Sequence, residues 1–220
     1  MSKSIRIALI DWNASVRSAR RLILDATPNT AVVFESDGKT SDFELLPDLL
    51  VDVIVMDQQL EQRTGTEAFM TLRSKYSELE DVPQAVLTTP FELSELRVLA
   101  FGAGMHDLVS INSGPGGLVQ AIRSAALGKV VIDLRELVGL LSLNPPSRLN
   151  NFDFTKSVNA LPVRKKGLVQ KLSVEWDVIR SGGSTRLTLE LFAPLARPVG
   201  CLSAKELIIR LIQNGFVNAS

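Results

Sequence analysis

The stretch VIVMDQQL, residues 53–60, decides the fold of the first half of this chain. Four consecutive apolar residues lead directly to an aspartate, Asp57, and a short apolar run of this kind predicts a strand that is buried on both faces. The strand therefore ends at a lone carboxylate on the edge of a sheet. That carboxylate could cap a turn, hold a metal ion, act as a base or accept a phosphoryl group, and the stretch alone does not choose among these roles.

Similar short strands recur on both sides of this one. The predicted strands cover 5–10, 31–36, 51–56, 84–89 and 107–111. Helical spacing of apolar residues lies between and after them, at 14–26, 66–76, 92–101 and 117–127, and less regularly at 42–50, where Pro47 interrupts it. Strands that alternate with helices in this way predict βαβ units, and hence an α/β fold with helices on both faces of a five-stranded parallel sheet.

Polar residues mark the ends of several predicted strands. The first strand ends at Asp11, the third at Asp57 and the fourth at Thr88 and Thr89. In an open parallel sheet, ligands bind at the carboxyl ends of the strands. We therefore expect Asp11, Asp57 and Thr88 to meet at one polar pocket, although they lie far apart in sequence.

The composition excludes several kinds of site. Cys201 is the only cysteine, which excludes an intramolecular disulfide and a thiolate metal cluster. His106 is the only histidine, which argues against a Ser-His-Asp triad and a multi-histidine zinc site. No apolar run approaches 18 residues and the start is unlike a signal peptide, so we expect a cytoplasmic protein without membrane contact.

Charge divides the chain into two parts. Residues 1–145 hold 13 Lys and Arg against 19 Asp and Glu, whereas residues 146–220 hold 11 against 5. The Pro-, Asn- and Ser-rich segment 143–154 lies at the division and is typical of a linker. We predict a first domain over 1–143, a linker over 144–166 and a small basic module over 167–220.

The order of several motifs resembles the receiver domain of bacterial two-component response regulators. The motifs are LIDWN (9–13), VIVMDQQL (53–60), TGTEAFMTLR (64–73), AVLTTP (85–90) and the segment 101–132. The resemblance is nearest to the branch with LuxR-type DNA-binding output, and it covers about residues 4–143. It implies a flavodoxin-like domain with the strand order 2-1-3-4-5.

The resemblance also implies a role for each residue at the strand ends. Asp57 matches the aspartate that accepts the phosphoryl group from a histidine kinase, and Thr88 matches the hydroxyl residue that contacts that group. Asp11, Asp57 and the main-chain carbonyl of Gln59 match the ligands of Mg²⁺. Such a site suits Mg²⁺, which binds a few carboxylates together with phosphate oxygens and water and neutralises charge during phosphoryl transfer.

Several positions depart from the family pattern. Trp12 stands where the family has a second acidic metal ligand, and Ile111 stands where it has a lysine that pairs with the phosphoryl group. Leu108 replaces the switch aromatic, and Glu61 replaces a proline. We therefore expect weak or absent phosphorylation of Asp57 and doubtful Mg²⁺ binding. Trp12 either fills the space of the missing groups or packs in the core at the helix entry.

Two further features have ordinary explanations. His106 precedes the fifth strand and is predicted to be a surface loop residue. The sequence SGPGG (113–117) lacks the Lys-Ser/Thr ending of a P-loop, and it predicts a flexible turn before the last helix.

The basic module shows two elements. Alternating apolar residues at 172–178 and 187–191, with SGGST between them, predict a β-hairpin. The stretch 202–216 predicts a helix with Ser203 and Glu206 as a capping box, and it resembles the first helix of a LuxR-type helix-turn-helix.

No recognition helix follows it, so we expect any DNA binding to be weak and salt-sensitive. The expected contacts with DNA, or with an acidic partner, are Arg164, Lys165, Lys166, Arg180 and Arg186.

The sequence thus predicts an atypical response regulator in signal transduction and transcriptional control. We expect a homodimer without enzymatic activity, which self-associates around 92–127. The alternative is a phosphorylation-independent adaptor that uses the receiver fold only to dock other proteins.

Overall fold

The computed structural model describes residues 3–76, 82–91, 94–128, 131–133, 151–170, 186–188, 192–202, 204–214 and 216. It divides into two compact units. The first contains 1–93 and 105–127, and the second contains 94–104 and 128–220. The predicted domain boundary at 143 lies outside the described residues.

A parallel five-stranded sheet forms the centre of the first unit. Its strands are β1 (Ile5–Ile10), β2 (Thr30–Ser36), β3 (Val53–Asp57), β4 (Gln84–Thr89) and β5 (Asp107–Ser110). Their order is β2-β1-β3-β4-β5, which confirms the predicted flavodoxin-like arrangement. All five residues of β3 are buried, as the apolar run of the opening stretch predicts.

The described residues of this unit form three α-helices: α1 (Ala14–Asp25), α2 (Gly65–Arg73) and α4 (Gly114–Ala126). The predicted helix at 42–50 is instead two short 3₁₀ segments, Thr40–Glu44 and Pro47–Leu49. Pro47 explains the break, because proline lacks an N–H and its ring clashes with the preceding helical turn.

Two further local predictions were wrong. Helix α4 begins at Gly114, so most of SGPGG forms its first turn, where the missing N–H of Pro115 costs nothing. His106 is buried rather than on a surface loop, and its main-chain N–H donates to the carbonyl of Ala85 at 2.7 Å.

The second unit combines a short sheet with helices. Strand β6 (Val131–Asp133) pairs antiparallel with β7 (Arg186–Thr188). The helices among its described residues are α3 (Ser94–Gly102), α5 (Asn151–Ala160), α6 (163–170), α7 (Ala193–Ala196) and α8 (Ala204–Gln213). The predicted hairpin strand at 172–178 and Ser203 of the predicted capping box lie outside the described residues.

Part of the segment predicted as a linker is helical. Helix α5 and the start of α6 lie within 144–166. Phe154 and Val158 are one helical turn apart and both are buried, so this stretch contributes apolar surface to the core of its unit. Within the described ranges, no helix is both long and apolar enough to cross a membrane.

Candidate functional site at the carboxyl ends of the strands

Asp11, Asp57 and Thr88 lie together at the carboxyl ends of β1, β3 and β4, and we call this group the carboxylate rim. Asp57 is the last residue of β3, and Thr88 is its register partner in β4. The Thr88 hydroxyl donates to Oδ2 of Asp57 at 3.1 Å. Asp11 is 1% exposed and Asp57 is 8% exposed, so both carboxylates are largely removed from water.

Arg20 is the residue at this site that the sequence reasoning missed. Its Nη1 donates to Oδ2 of Asp11, and its Nη2 donates to Oδ2 of Asp57 at 3.2 Å. Arg20 is itself only 6% exposed. The guanidinium therefore joins two buried carboxylates that the fold brings together, using the planar, multiply donating geometry that distinguishes arginine from lysine.

The start of α1 explains how Arg20 reaches the rim. Asn13 caps the helix, since its side chain accepts from the N–H groups of Ser15 and Val16 at 3.0 and 3.2 Å. The helix thus begins immediately after β1, and Arg20 lies about two turns further on. Long side chains on a helix lean back towards its N-terminus, which is the direction of Asp11 and Asp57.

The remaining carboxylate oxygens accept from main-chain amides. Oδ1 of Asp11 accepts from the N–H of Asn13 at 2.8 Å, and Oδ1 of Asp57 accepts from the N–H of Gln59 at 2.9 Å. Gln59 therefore contacts the site through its main-chain N–H, which donates to Asp57. Each of the four oxygens has at least one donor within the protein.

Burial and hydrogen-bond partners shift the pKa of Asp11 in opposite directions. Burial raises the pKa of Asp11 above its ordinary value of 3.8, and the negative charge of Asp57 acts in the same sense. The N–H of Asn13, Arg20 and Arg17 lower this pKa, but they do not fully offset the burial. Arg17 also donates to the main-chain carbonyl of Asp11 at 2.6 Å.

Helix α2 packs closely against the end of β3. A Cβ atom placed on Gly65 would lie 2.3 Å from the main-chain oxygen of Asp57, so only glycine fits there. The N–H of Gly65 donates to the carbonyl of Gln58 at 2.9 Å. Thr64 and Glu67 form a capping box that fixes the first turn of α2, and with it the position of Asp57.

Two of the four substituted positions of the family pattern, Trp12 and Ile111, are exposed. Trp12 is 50% exposed and Ile111 is 52% exposed. Trp12 therefore does not pack in the core, and that predicted role was wrong, because the residue lies beyond the end of β1 and next to the helix cap Asn13. That Trp12 fills the space of the missing acid and lysine stays a prediction.

These residues fit a divalent cation poorly. Mg²⁺ requires oxygen ligands in near-octahedral geometry, but Trp12 supplies no acid and Arg20 contacts both remaining carboxylates. Two unit charges 4 Å apart interact by about 4 kcal/mol at an effective dielectric constant of about 20, so the guanidinium would repel a divalent ion by about twice that. In the part of the chain that the structure describes, no three His, Cys, Asp or Glu side chains cluster as a metal site.

The predicted contacts for nucleic acid lie in the second unit. Arg164 and Lys166 are exposed and Lys165 is half-buried, and all three belong to α6. Arg180 lies outside the described residues, and Arg186 is in β7. The end of the segment predicted as a linker thus places three neighbouring cations on one helix.

Helix α8, which resembles the first helix of a helix-turn-helix, is buried on almost every side. Its apolar residues Leu207, Ile208 and Leu211 are buried, and so is Glu206. Oε2 of Glu206 accepts from the N–H of Leu202 at 2.7 Å, and Oε1 pairs with Arg210 at 2.8 Å. This helix is therefore a core element of its unit.

A second buried charged residue of α8, Lys205, contacts helix α3. The ammonium of Lys205 lies 4.0 Å from the centre of the Phe101 ring. Phe101 belongs to α3, within the second unit, and is fully buried. A cation over an aromatic face is attracted to the negative face of the ring, which offsets part of the desolvation of Lys205.

Several known proteins are similar to this chain in sequence or in fold. The transcriptional regulatory protein YdfI of Bacillus subtilis is 21% identical over 216 residues, which covers 96% of this chain and 97% of YdfI. The uncharacterized transcriptional regulatory protein YxjL of the same organism is 30% identical over 127 residues, or 58% of this chain and 56% of YxjL. The crystal structure of a LuxR-family two-component response regulator from Aurantimonas superposes with a TM-score of 0.51 at 30% identity, over 57% of this chain and 87% of that one. No family model matches.

The fold and the position of the rim define a receiver domain. Together with the relatives, they confirm the resemblance noted in the sequence: the chain is a response regulator.

Proposed function

We propose that this response regulator acts in transcriptional control and that its receiver works without phosphorylation of Asp57. The single observation that carries the second part is the guanidinium of Arg20, which bonds Asp11 and Asp57 together. A phosphoacceptor must present a free carboxylate oxygen to the phosphoryl group, with positive charge placed to neutralise it. Here the positive charge of Arg20 is already paired with the carboxylates of Asp11 and Asp57.

The rest of the rim supports the same proposal. Ile111 has replaced the cation that would pair with a phosphoryl group, and Trp12 has replaced an acid. Thr88 is already engaged with Asp57. The receiver would then be held in one conformation by internal contacts, and its partners would recognise that conformation.

The proposed role in transcription is supported by the relatives. YdfI and YxjL are both named as transcriptional regulatory proteins, and YdfI aligns along nearly the whole of this chain. The basic cluster on α6 offers a surface for DNA phosphates. Self-association, as in the proposed homodimer, would double the number of such contacts, and sedimentation of the full chain tests it directly.

Treatment with acetyl phosphate in the presence of Mg²⁺, followed by mass spectrometry of the intact chain, tests the phosphorylation proposal. We expect little or no added phosphate on the wild type and the same result for Asp57→Ala. Rapid, near-complete modification of the wild type that is lost in Asp57→Ala would overturn the proposal and restore a phosphorylated switch, with a histidine kinase as its partner.

A second candidate function is a phosphorylation-independent adaptor. The observation that favours it is the burial of α8, the helix that resembles part of a DNA-binding motif. In this alternative the cations on α6 bind an acidic protein surface instead of DNA. Titration against duplex DNA separates the two candidates, since an adaptor should show no binding even at low salt.

A further inference from the structure

We infer that Arg20 is a built-in replacement for the divalent cation of the rim, so that the wild-type protein holds its acidic pair without metal. This inference rests on the proposed function and goes further, because it assigns the missing positive charge to one side chain. It also predicts that a divalent cation site is hidden beneath that side chain.

The geometry of Arg20 matches that of a bridging cation. It contacts one oxygen of each carboxylate, the atoms being Oδ2 of Asp11 and Oδ2 of Asp57. A cation that joins two acidic side chains from different strands would contact the same pair of oxygens. The side chain is buried along with its partners, so water does not screen the interaction.

The neighbouring arginines of α1 do not share this role. Arg21 is exposed and pairs with Asp25 and Glu35, each at 2.7 Å. Arg17 binds the main-chain oxygen of Asp11 and lies 3.8 Å from Glu35. Arg20 is therefore the arginine of this helix whose guanidinium meets the carboxylates of the rim, and Arg21 serves as a matched control.

The hidden site follows from what remains when the guanidinium is removed. Asp11 and Asp57 would face each other with two negative charges and no cation between them. Carboxylate oxygens are the ligands that hard divalent cations prefer, and two unpaired carboxylates in a buried place favour any cation that reaches them. The Arg20→Met variant keeps most of the length of the side chain while removing its charge.

Binding of Mn²⁺, measured by electron paramagnetic resonance without any phosphodonor, tests the inference. We expect Arg20→Met to bind Mn²⁺ at least about tenfold more tightly than the wild type, whereas Arg21→Met should behave as the wild type does. Adding Asp57→Asn to Arg20→Met should abolish the gain. Paramagnetic broadening of the Gln59 and Thr88 amide signals in the variant would place the ion at the rim.

Each other outcome decides against the inference. Mn²⁺ binding by the wild type that is lost in Asp57→Asn would show that Arg20 does not exclude the metal. A folded Arg20→Met that binds no more tightly than Arg21→Met would show that no site lies beneath the guanidinium. If Arg20→Met does not fold alone, Mn²⁺ should restore its circular dichroism spectrum, because a ligand of the native state stabilises it; absence of recovery overturns the inference.

The result of the Mn²⁺ titration does not depend on the result of the phosphorylation test. Phosphorylation of the wild type would defeat the proposed function, whereas Mn²⁺ titration without phosphodonor reports only on the cation. A wild type that neither binds Mn²⁺ nor accepts phosphate supports both.

Discussion

Nη2 of Arg20 lies 3.2 Å from Oδ2 of Asp57, so the aspartate that ends the third strand is paired with a cation from the first helix of its own domain. The pair is buried, and the same guanidinium also contacts Asp11. Several measurable properties of the protein depend on this contact and on the residues that hold Asp57 in place.

Replacing Arg20 by Met should lower the free energy of unfolding by about 3–5 kcal/mol, because removal of one partner leaves buried carboxylates without their counter-charge. Urea denaturation at pH 7 measures this. Arg21→Met breaks only exposed pairs and should cost about 0.2–1 kcal/mol. Equal effects of the two substitutions would contradict a special role for Arg20.

The loss in free energy of unfolding caused by Arg20→Met should become smaller as the pH falls from 7 to 5. The pKa of Asp11 is raised by burial, so the folded state holds this proton more tightly than the unfolded chain, and stability falls as pH rises through the range above 3.8. Arg20 lowers the pKa of Asp11, so its loss raises that pKa further. The pH range over which stability falls therefore extends to higher pH in the variant. Urea denaturation at both pH values measures the difference, and Asp11→Asn in the same background should remove it. A cost that grows on acidification would contradict this assignment.

Thr88→Val should be more damaging than Thr88→Ser. Valine removes the hydroxyl that donates to Asp57, and a hydrogen bond to a charged group contributes about 1.5–3 kcal/mol. Serine keeps the hydroxyl and loses one methyl group, which costs about 0.8 kcal/mol. Thermal unfolding of the two variants ranks them, and the reverse order would show that packing of the methyl group outweighs the hydrogen bond.

Gly65→Ala should destabilise the receiver by about 1–3 kcal/mol, as overpacking of a well-filled position does. The added Cβ would meet the main-chain oxygen of Asp57 at 2.3 Å. Gly116→Ala is the matched control, since no atom lies within 4 Å of its Cβ position apart from its chain neighbours and the backbone of its own helix, and alanine favours the helix there. Chemical denaturation of both variants tests the contrast, and a neutral Gly65→Ala would mean that α2 shifts freely.

DNA binding by the full chain should be weak and steeply dependent on salt. Replacing Arg164, Lys165 and Lys166 by Gln should weaken it equally for random and promoter-derived duplexes, and should reduce the salt slope by about 1 for each cation that contacts phosphate. Fluorescence anisotropy at two salt concentrations measures both quantities. Replacing Lys3, Arg21 and Lys39, which lie in the first unit, is the charge-matched control. Sequence-selective binding that survives high salt would contradict this prediction.

The strand ends were predictable from sequence, but the content of the pocket was not. Apolar runs ending in Asp11, Asp57 and Thr88 predicted where these residues would meet, because parallel strands present their carboxyl ends at one edge. Arg20 escaped notice because an arginine on a helix is usually exposed. The available signal was its spacing, about two turns after the cap at Asn13, together with an acidic pair that lacked a cation.

The second unit was harder to predict for a different reason. The prediction of a linker was inferred from the local composition of 143–154, yet α5 is stabilised by the burial of Phe154 and Val158 within its unit. Likewise α8 was predicted as a helix, but its burial depends on packing partners elsewhere in the chain. Local sequence reports propensity, whereas these outcomes depend on contacts between distant segments.

Helix α3 has a consequence for how the protein is made. It belongs with the second unit, although the chain enters it from β4 and leaves it towards β5. On a ribosome that adds about 5–20 residues per second, Phe101 emerges on the order of ten seconds before Lys205, the cation that covers its ring. During that interval α8, which packs against α3, has not yet been made, so the nascent chain passes through a stage in which chaperones and other chains can bind the surface of α3 that α8 will cover.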